Sequence, residues 1–244
     1  LTCHVKVDTG MGRFGLPWPE AAEQIASLHR EGGLRMDGLC THLAAADKRE
    51  SNSAATQVDR FRQVTEACAA RGITFAFKHA ANSAAFLAHP EWDFDGVRCG
   101  IMTYGYGEKF SGARTLTRPF LQWKTTVLQV KKVPAGFTVG YHGTHATSAA
   151  TVLATINAGY ADGFSRLFSN RGFVLVGGRR APVVGRVSMN FATVDVGPGA
   201  PVQPRDEVVL LGTQGGESIW ADEMAGWCQT IPYEILTGIR AESR

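Results

Sequence analysis

The sequence predicts an α/β fold followed by a mostly-β one, and three observations carry that expectation. Strand-like and helix-like stretches alternate up to about residue 115. From about Pro119 the helical period disappears, and short apolar stretches divided by glycine and proline turns replace it. Helical patterning returns only near the end. The expected parts are residues 1–117 and 118–244.

In the first part, His4 to Asp8 reads as a strand and Pro19 to Arg30 as a helix. Its proline sits in the first turn, Ala21, Ala22, Ile25 and Leu28 form an apolar stripe, and Gly32-Gly33 stop it. Gly38 to Leu43 is again strand-like. Ser51-Asn52-Ser53 can cap a helix that carries Val58, Phe61, Val64 and Cys68 on one face and ends at Gly72. Thr74 to His79 and Val97 to Ile101 are two further strands. A short helix from Ser83 to Ala88, closed by Pro90, lies between them. Alternating strand and helix means parallel strands joined by crossovers, in a barrel or an open doubly wound sheet. Four strands cannot close an eight-stranded barrel, so this part reads as the later strands of a TIM-like (β/α)8 barrel. The chain opens on Leu1 and falls almost directly on a strand, which reads as a chain entered partway through its parent.

In the second part, Leu121 to Val130, Val152 to Ala158, Phe173 to Val176, Ala181 to Val187, Phe191 to Val196 and Glu207 to Leu211 are strand-like. Gly177-Gly178 and the stretch from Pro198 to Pro204 divide them. Ser218 to Cys228 and Pro232 to Ile239 carry the returning helical pattern. There are no internal repeats and no low-complexity linker.

Composition excludes several functions. With 244 residues, 44% hydrophobic and 19% charged, the chain has the profile of an ordinary globular protein with ample core. A net charge of +3 with scattered lysines and arginines argues against nucleic acid or a membrane surface as partner. No apolar run reaches membrane-spanning length. The five cysteines (Cys3, Cys40, Cys68, Cys99, Cys228) are far apart with no Cys-x-x-Cys pair, so free thiols are expected rather than a metal site.

Three glycine-rich frames place a reactive or charged side chain at a strand end, where backbone can approach a ligand closely. They are Val7-Asp8-Thr9-Gly10-Met11-Gly12-Arg13-Phe14-Gly15, Gly159-Tyr160-Ala161-Asp162-Gly163, and Gly185-Arg186-Val187-Ser188-Met189-Asn190. A tyrosine with a pKa of about 10 is a poor base at neutral pH and needs a cationic neighbourhood. His42 and Arg98, toward the ends of two presumed parallel strands, are candidates for it. An arginine in an apolar strand is costly unless paired. Ser83 opens a short helix, where it serves either as an ordinary N-cap or as an anion contact.

Taken in this order, the frames resemble the alanine racemase family of pyridoxal-phosphate enzymes, along the chain from His4 to about Glu234. The resemblance implies a β/α barrel followed by a β domain, racemisation of L- and D-alanine that supplies D-alanine for bacterial peptidoglycan, and a cytoplasmic enzyme. It implies a head-to-tail homodimer with two sites at the interface. It further implies that Tyr160 is a catalytic acid/base reaching into the partner's site. By the same resemblance, His42 and Arg98 are expected to be linked by hydrogen bonds, with Arg98 contacting the pyridine nitrogen of pyridoxal 5'-phosphate. Ser83 and the amides of Gly100 and Ile101 are expected to bind its phosphate. Arg13 is expected to lie near the substrate carboxylate, with the Met189 amide as its other contact.

The sequence departs from the family pattern in three places. The cofactor lysine of the family lies in a motif like Val-Lys-Ala-Asn-Ala-Tyr-Gly, and none of Lys6, Lys48, Lys78, Lys109, Lys124, Lys131 and Lys132 does. These residues therefore read as the C-terminal two-thirds of a racemase, with a lysine-bearing segment as an expected partner. Ala241 stands where a phosphate-binding tyrosine is expected, about eight positions beyond Tyr233. Asn190 replaces the usual aspartate and, with Phe168-Ser169-Asn170-Arg171-Gly172, resembles broad-specificity amino acid racemases. Two alternatives stand beside alanine racemisation: a broad-specificity racemase, and a non-catalytic racemase-derived interaction subunit. A related decarboxylase or D-threonine aldolase is disfavoured by Gly-Tyr-Ala-Asp-Gly.

Overall fold

The computed structural model describes residues 1–47, 52–107 and 117–240, which form two compact units, Leu1–Arg118 and Pro119–Arg244. Lys48, Ser51, Lys109 and Ala241 lie outside the described residues.

The first unit holds β1 (Thr2–Asp8), β2 (Leu16–Pro17), α1 (Ala21–Glu31), β3 (Arg35–Cys40), α2 (Ser53–Ala69), β4 (Phe77–Asn82), α3 (Ser83–Ala88) and β5 (Gly96–Arg98). Its strands pair in the order β2-β1-β3-β4-β5, and every pair is parallel. β1, β3, β4 and β5 lie in chain order, as successive strands of a barrel do, while the two-residue β2 pairs on the other side of β1. One face of the arc packs on the helices through Val7, Leu39, Ile25, Phe61, Val64 and Cys68. The other carries the rings of His4, Phe77 and His79, within 5.9 Å of one another by centroid. Gly38 and Gly96 make room for them: a Cβ on Gly38 would lie 2.5 Å from the His4 ring, and one on Gly96 would lie 2.4 Å from Phe77.

The second unit holds β6 (Trp123–Val133), β7 (Thr138–Val139), β8 (His145–Ala146), β9 (Thr151–Ile156), β10 (Phe173–Val176), β11 (Arg179–Pro182), β12 (Ala192–Asp195), β13 (Glu207–Gln214), β14 (Glu217–Ile219), α4 (Ala221–Cys228) and α5 (Pro232–Gly238). Six antiparallel strands run β11-β10-β13-β6-β9-β12. A bridge between Val183 and Val194, with Val184 N–H donating to Thr193 O at 2.9 Å, brings the two end strands together. The sheet thereby joins end to end, which removes exposed strand edges. An edge-to-face series of rings, Trp123–Phe164–Phe168–Trp227, links β6 to α4.

Several element limits differ from the sequence reading. The strand expected at Thr74–His79 starts at Phe77, because Phe77 pairs with Gly38, while Ile73 and Phe75 ahead of it are buried against the helices. β5 ends at Arg98, and Ile101 opens a 3-10 turn that runs to Tyr104. The strand expected at Ala181–Val187 is regular only to Pro182; beyond it Gly185 has φ +76°. The helix expected from Ser218 starts at Ala221, since Glu217–Ile219 pairs with β13 around the Gly215-Gly216 turn. The cap of α3 is Asn82, whose side chain accepts from Ala85 N–H; Ser83 is the first helical residue.

Phe164 is fully buried between Trp123 and Phe168. We expect Phe164→Ala to destabilise the protein by about 3–5 kcal/mol, the usual cost of an aromatic-sized cavity. Urea unfolding followed by tryptophan fluorescence measures this, and a loss under about 1 kcal/mol would contradict the packing described.

Candidate active site

Parallel register brings the C-terminal ends of β1, β3, β4 and β5 side by side: Lys6 is level with Cys40, Cys40 with His79, and His79 with Gly96. Arg98, the last residue of β5, lies half-buried at this end. Nη1 donates to the Nδ1 of His79 at 2.5 Å and to the His79 carbonyl at 3.1 Å. Nη2 donates to the carbonyls of Thr41 (2.6 Å) and Ala80 (3.1 Å) and to the Nδ1 of His42 (3.3 Å). Nε takes part in none of these five bonds. No carboxylate pairs with Arg98 among the described residues.

A guanidinium has no acceptor atom, so both imidazoles must offer it a bare Nδ1. The proton of neutral His79 then sits on Nε2, which faces the Nδ1 of His4 at 2.9 Å and donates to it. Desolvation first, then the charge of Arg98 and the neighbouring His4, lower the His79 pKa to about 4. Desolvation, followed by Arg98, Arg13 and Lys6, lowers that of His42. The sequence reading coupled Arg98 to His42. The structure adds His79 at shorter range, a residue read earlier only as a strand end.

Ser83 is buried, and its Oγ accepts from the N–H groups of Gly100 (2.9 Å) and Met102 (3.4 Å). The start of α3 and the turn opened by Ile101 are thus joined through one hydroxyl. Arg13 lies exposed in the loop after β1, and Asp8 shapes that loop. Its Oδ1 accepts from Gly10, Met11 and Gly12, and its Oδ2 from Arg13. Desolvation raises the Asp8 pKa, but these four amides together hold it below the ordinary carboxylate value.

In the second unit, Tyr160 opens a 3-10 turn after β9. Its N–H donates to Ser188 O (3.0 Å), and Ala161 N–H donates to Met189 O (2.9 Å). A Cβ on Gly159 would lie 2.3 Å from Met189 O, so only glycine fits there. Tyr160 and Met189 are both exposed. A second phenol, missed by the sequence reading, borders the same loop. Tyr141 lines an open cavity of about 380 Å³ with Gly140, Arg186, Ser188 and Phe191. It stands between Gly140 (φ +72°) and His142 (φ +65°), with Gly143 at φ +54° next. Left-handed backbone at a non-glycine residue is uncommon and concentrates at functional sites. The signal in the sequence was the Gly140-Tyr141-His142-Gly143 frame. Arg186 Nε is buried with no hydrogen-bond partner among the described residues.

Comparison with known proteins places this geometry. The family model described as alanine racemase, N-terminal domain, matches residues 1–108, and the one described as alanine racemase, C-terminal domain, matches residues 120–244. The alanine racemase of Carboxydothermus hydrogenoformans is 47% identical over 241 residues, covering 98% of this chain and 65% of that protein. The crystal structure of alanine racemase from D-cycloserine-producing Streptomyces lavendulae superposes with a TM-score of 0.88 at 36% identity, over 97% of this chain and 63% of that one. That of Bartonella henselae, with covalently bound pyridoxal phosphate, gives 0.83 at 28% identity, over 98% and 64%. The chain thus spans about two thirds of the length of these relatives, slightly less in each case.

A histidine whose folded pKa lies below its unfolded value binds fewer protons in the native state. Its contribution to stability is present above about 6.5 and is lost as pH falls toward about 4. We expect the urea midpoint to fall between about pH 7 and about pH 5 in the wild type and less steeply in His79→Gln, which keeps an acceptor for Arg98. Equal slopes for the two proteins would contradict the neutral His79 described.

Proposed function

The chain belongs to the alanine racemase family, and from that premise we propose that it carries the site of a pyridoxal-phosphate-dependent racemase acting on alanine. The observation that carries this reading is the Arg98 cluster: a cation held by neutral acceptors only, with Nε outside all five bonds. These donors suit the cofactor. Arg98 would face the pyridine nitrogen, and Ser83 with the amides of Gly100 and Ile101 would hold the phosphate. Pyridoxal phosphate, when bound, delocalises the charge left at Cα as a proton departs. Arg98 limits that delocalisation, because a guanidinium donates a hydrogen bond but does not give up its proton. Return of the proton to Cα is then favoured over transamination. Residues 1–117 would be the cofactor-binding domain and 118–244 the β domain of a homodimer whose sites are shared between subunits. Arg13 and the Met189 amide would receive the substrate carboxylate.

A phenol of the β domain would exchange the proton on one side of Cα. The sequence resemblance points to Tyr160. The strained backbone around Tyr141 and the adjoining arginine, Arg186, favour Tyr141 on geometry. Asn190 in place of an aspartate removes one negative charge beside Met189, which supports a broader substrate range as the second reading.

Chiral chromatography of L-alanine incubated with the chain, the lysine-bearing segment that the resemblance implies, and pyridoxal phosphate tests the activity. We expect the two enantiomers in equal amounts at equilibrium, and L-alanine left unchanged would sink the reading. In the loaded enzyme, Arg98→Glu should lower racemisation and raise pyruvate formation, and an unchanged partition would count against the role of Arg98. Tyr141→Phe should cost about 100-fold or more in kcat and Tyr160→Phe less than about tenfold. The reverse pattern would return the acid/base role to Tyr160.

A further inference from the structure

Gln57 lies on the inner face of α2, where the Val58, Phe61 and Val64 stripe is apolar, yet it is 1% exposed. A buried carboxamide is costly unless its donors and acceptor are satisfied, and here they are. Nε2 donates to the His42 carbonyl (3.0 Å) and to Thr9 Oγ1 (3.2 Å), and Oε1 accepts from Ala44 N–H (2.8 Å). The side chain thus meets the backbone on both sides of Leu43 as the peptide of a neighbouring strand would. Thr9 Oγ1 in turn bonds Thr41 Oγ1 at 2.7 Å, with both threonines fully buried. The Thr41 carbonyl is the acceptor that Arg98 Nη2 approaches most closely. One turn along α2, Arg60 donates to Thr9 O (2.9 Å), at the base of the Arg13 loop.

We propose that Gln57 is a positioning residue for the Arg98 site. Its amide fixes the segment from Thr41 to Ala44, and so sets both the His42 imidazole and the carbonyl that anchors Arg98. It touches neither substrate nor cofactor and acts through His42 and Thr41. Only the kinetic part of this inference rests on the racemase reading.

The test compares Gln57→Met, which removes the amide at similar volume, with Gln57→Glu, which keeps an acceptor for Ala44 and loses both donors. Val58→Ala, a neighbouring fully buried position, is the control for loss of packing alone. The first readout is the NMR titration of the His42 imidazole in the full chain without cofactor, where the surrounding charges are those of Arg98, Arg13 and Lys6. The second is kcat and KM for alanine in the loaded enzyme. We expect both Gln57 variants to raise the His42 midpoint toward its ordinary value. Both should lower kcat about tenfold with KM within about threefold. Val58→Ala should lower the urea midpoint and change neither. A wild-type His42 titration in both Gln57 variants overturns the proposal, whatever the rates. Loss of circular dichroism in both overturns it too, by assigning Gln57 to folding; if only Gln57→Met unfolds, Gln57→Glu decides. Absence of racemase activity in the wild-type chain joined by its lysine-bearing segment would refute the functional reading and leave the NMR comparison to judge Gln57.

Discussion

A guanidinium held by neutral groups is the interaction on which the first unit depends. Three main-chain carbonyls and two imidazole nitrogens surround Arg98, and burial lowers its pKa. Hydrogen bonds to a charged donor are roughly twice as strong as neutral ones, which offsets the cost of taking the cation out of water. Because every partner is an acceptor, the arrangement fixes more than position. It keeps His42 and His79 neutral and orients each ring. It also staples the ends of β3 and β4 to β5, so strand register and side-chain chemistry are one constraint. A carboxylate partner would satisfy the charge as well, but would change what the site presents to a ligand.

The second unit meets a different demand, that of bringing backbone close to backbone. Gly159 lies against Met189, and Gly140 against Arg186, where a Cβ would come within 2.8 Å of its amide nitrogen. These contacts hold the backbone at Tyr160 and Tyr141 close to the Gly185–Asn190 loop. Asn170, itself at φ +57°, accepts from Gly185 N–H and donates to Thr144, tying that loop to the turn after Tyr141. Two left-handed non-glycine residues, His142 and Asn170, thus border this loop, while the core beneath is ordinary aromatic and aliphatic packing.

Much of this was legible in the sequence, for identifiable reasons. The helices of the first unit announced themselves through apolar stripes and glycine stops, and the parallel arc through their alternation with strands. An arginine inside an apolar strand needs partners, which pointed to Arg98. What stayed hidden depended on tertiary pairing. The start of β4 follows from Phe77 lying level with Gly38, a relation no local pattern encodes. His79 looked like a strand end because its two partners come from β1 and β5, 75 and 19 residues away. Gln57 stands beside an apolar stripe, and nothing local in the sequence marks it as buried before its tertiary partners are located. Tyr141 follows a two-residue strand, too short to leave a period.

The central claim of the proposed function is that Arg98 would remain a hydrogen-bond donor beside a cofactor ring nitrogen that carries no proton. Reconstitution of the enzyme with pyridoxal phosphate labelled with 15N in the ring, followed by solid-state NMR, reads that nitrogen directly. The account predicts the shift of an unprotonated pyridine throughout the active pH range. The shift of a pyridinium would contradict it.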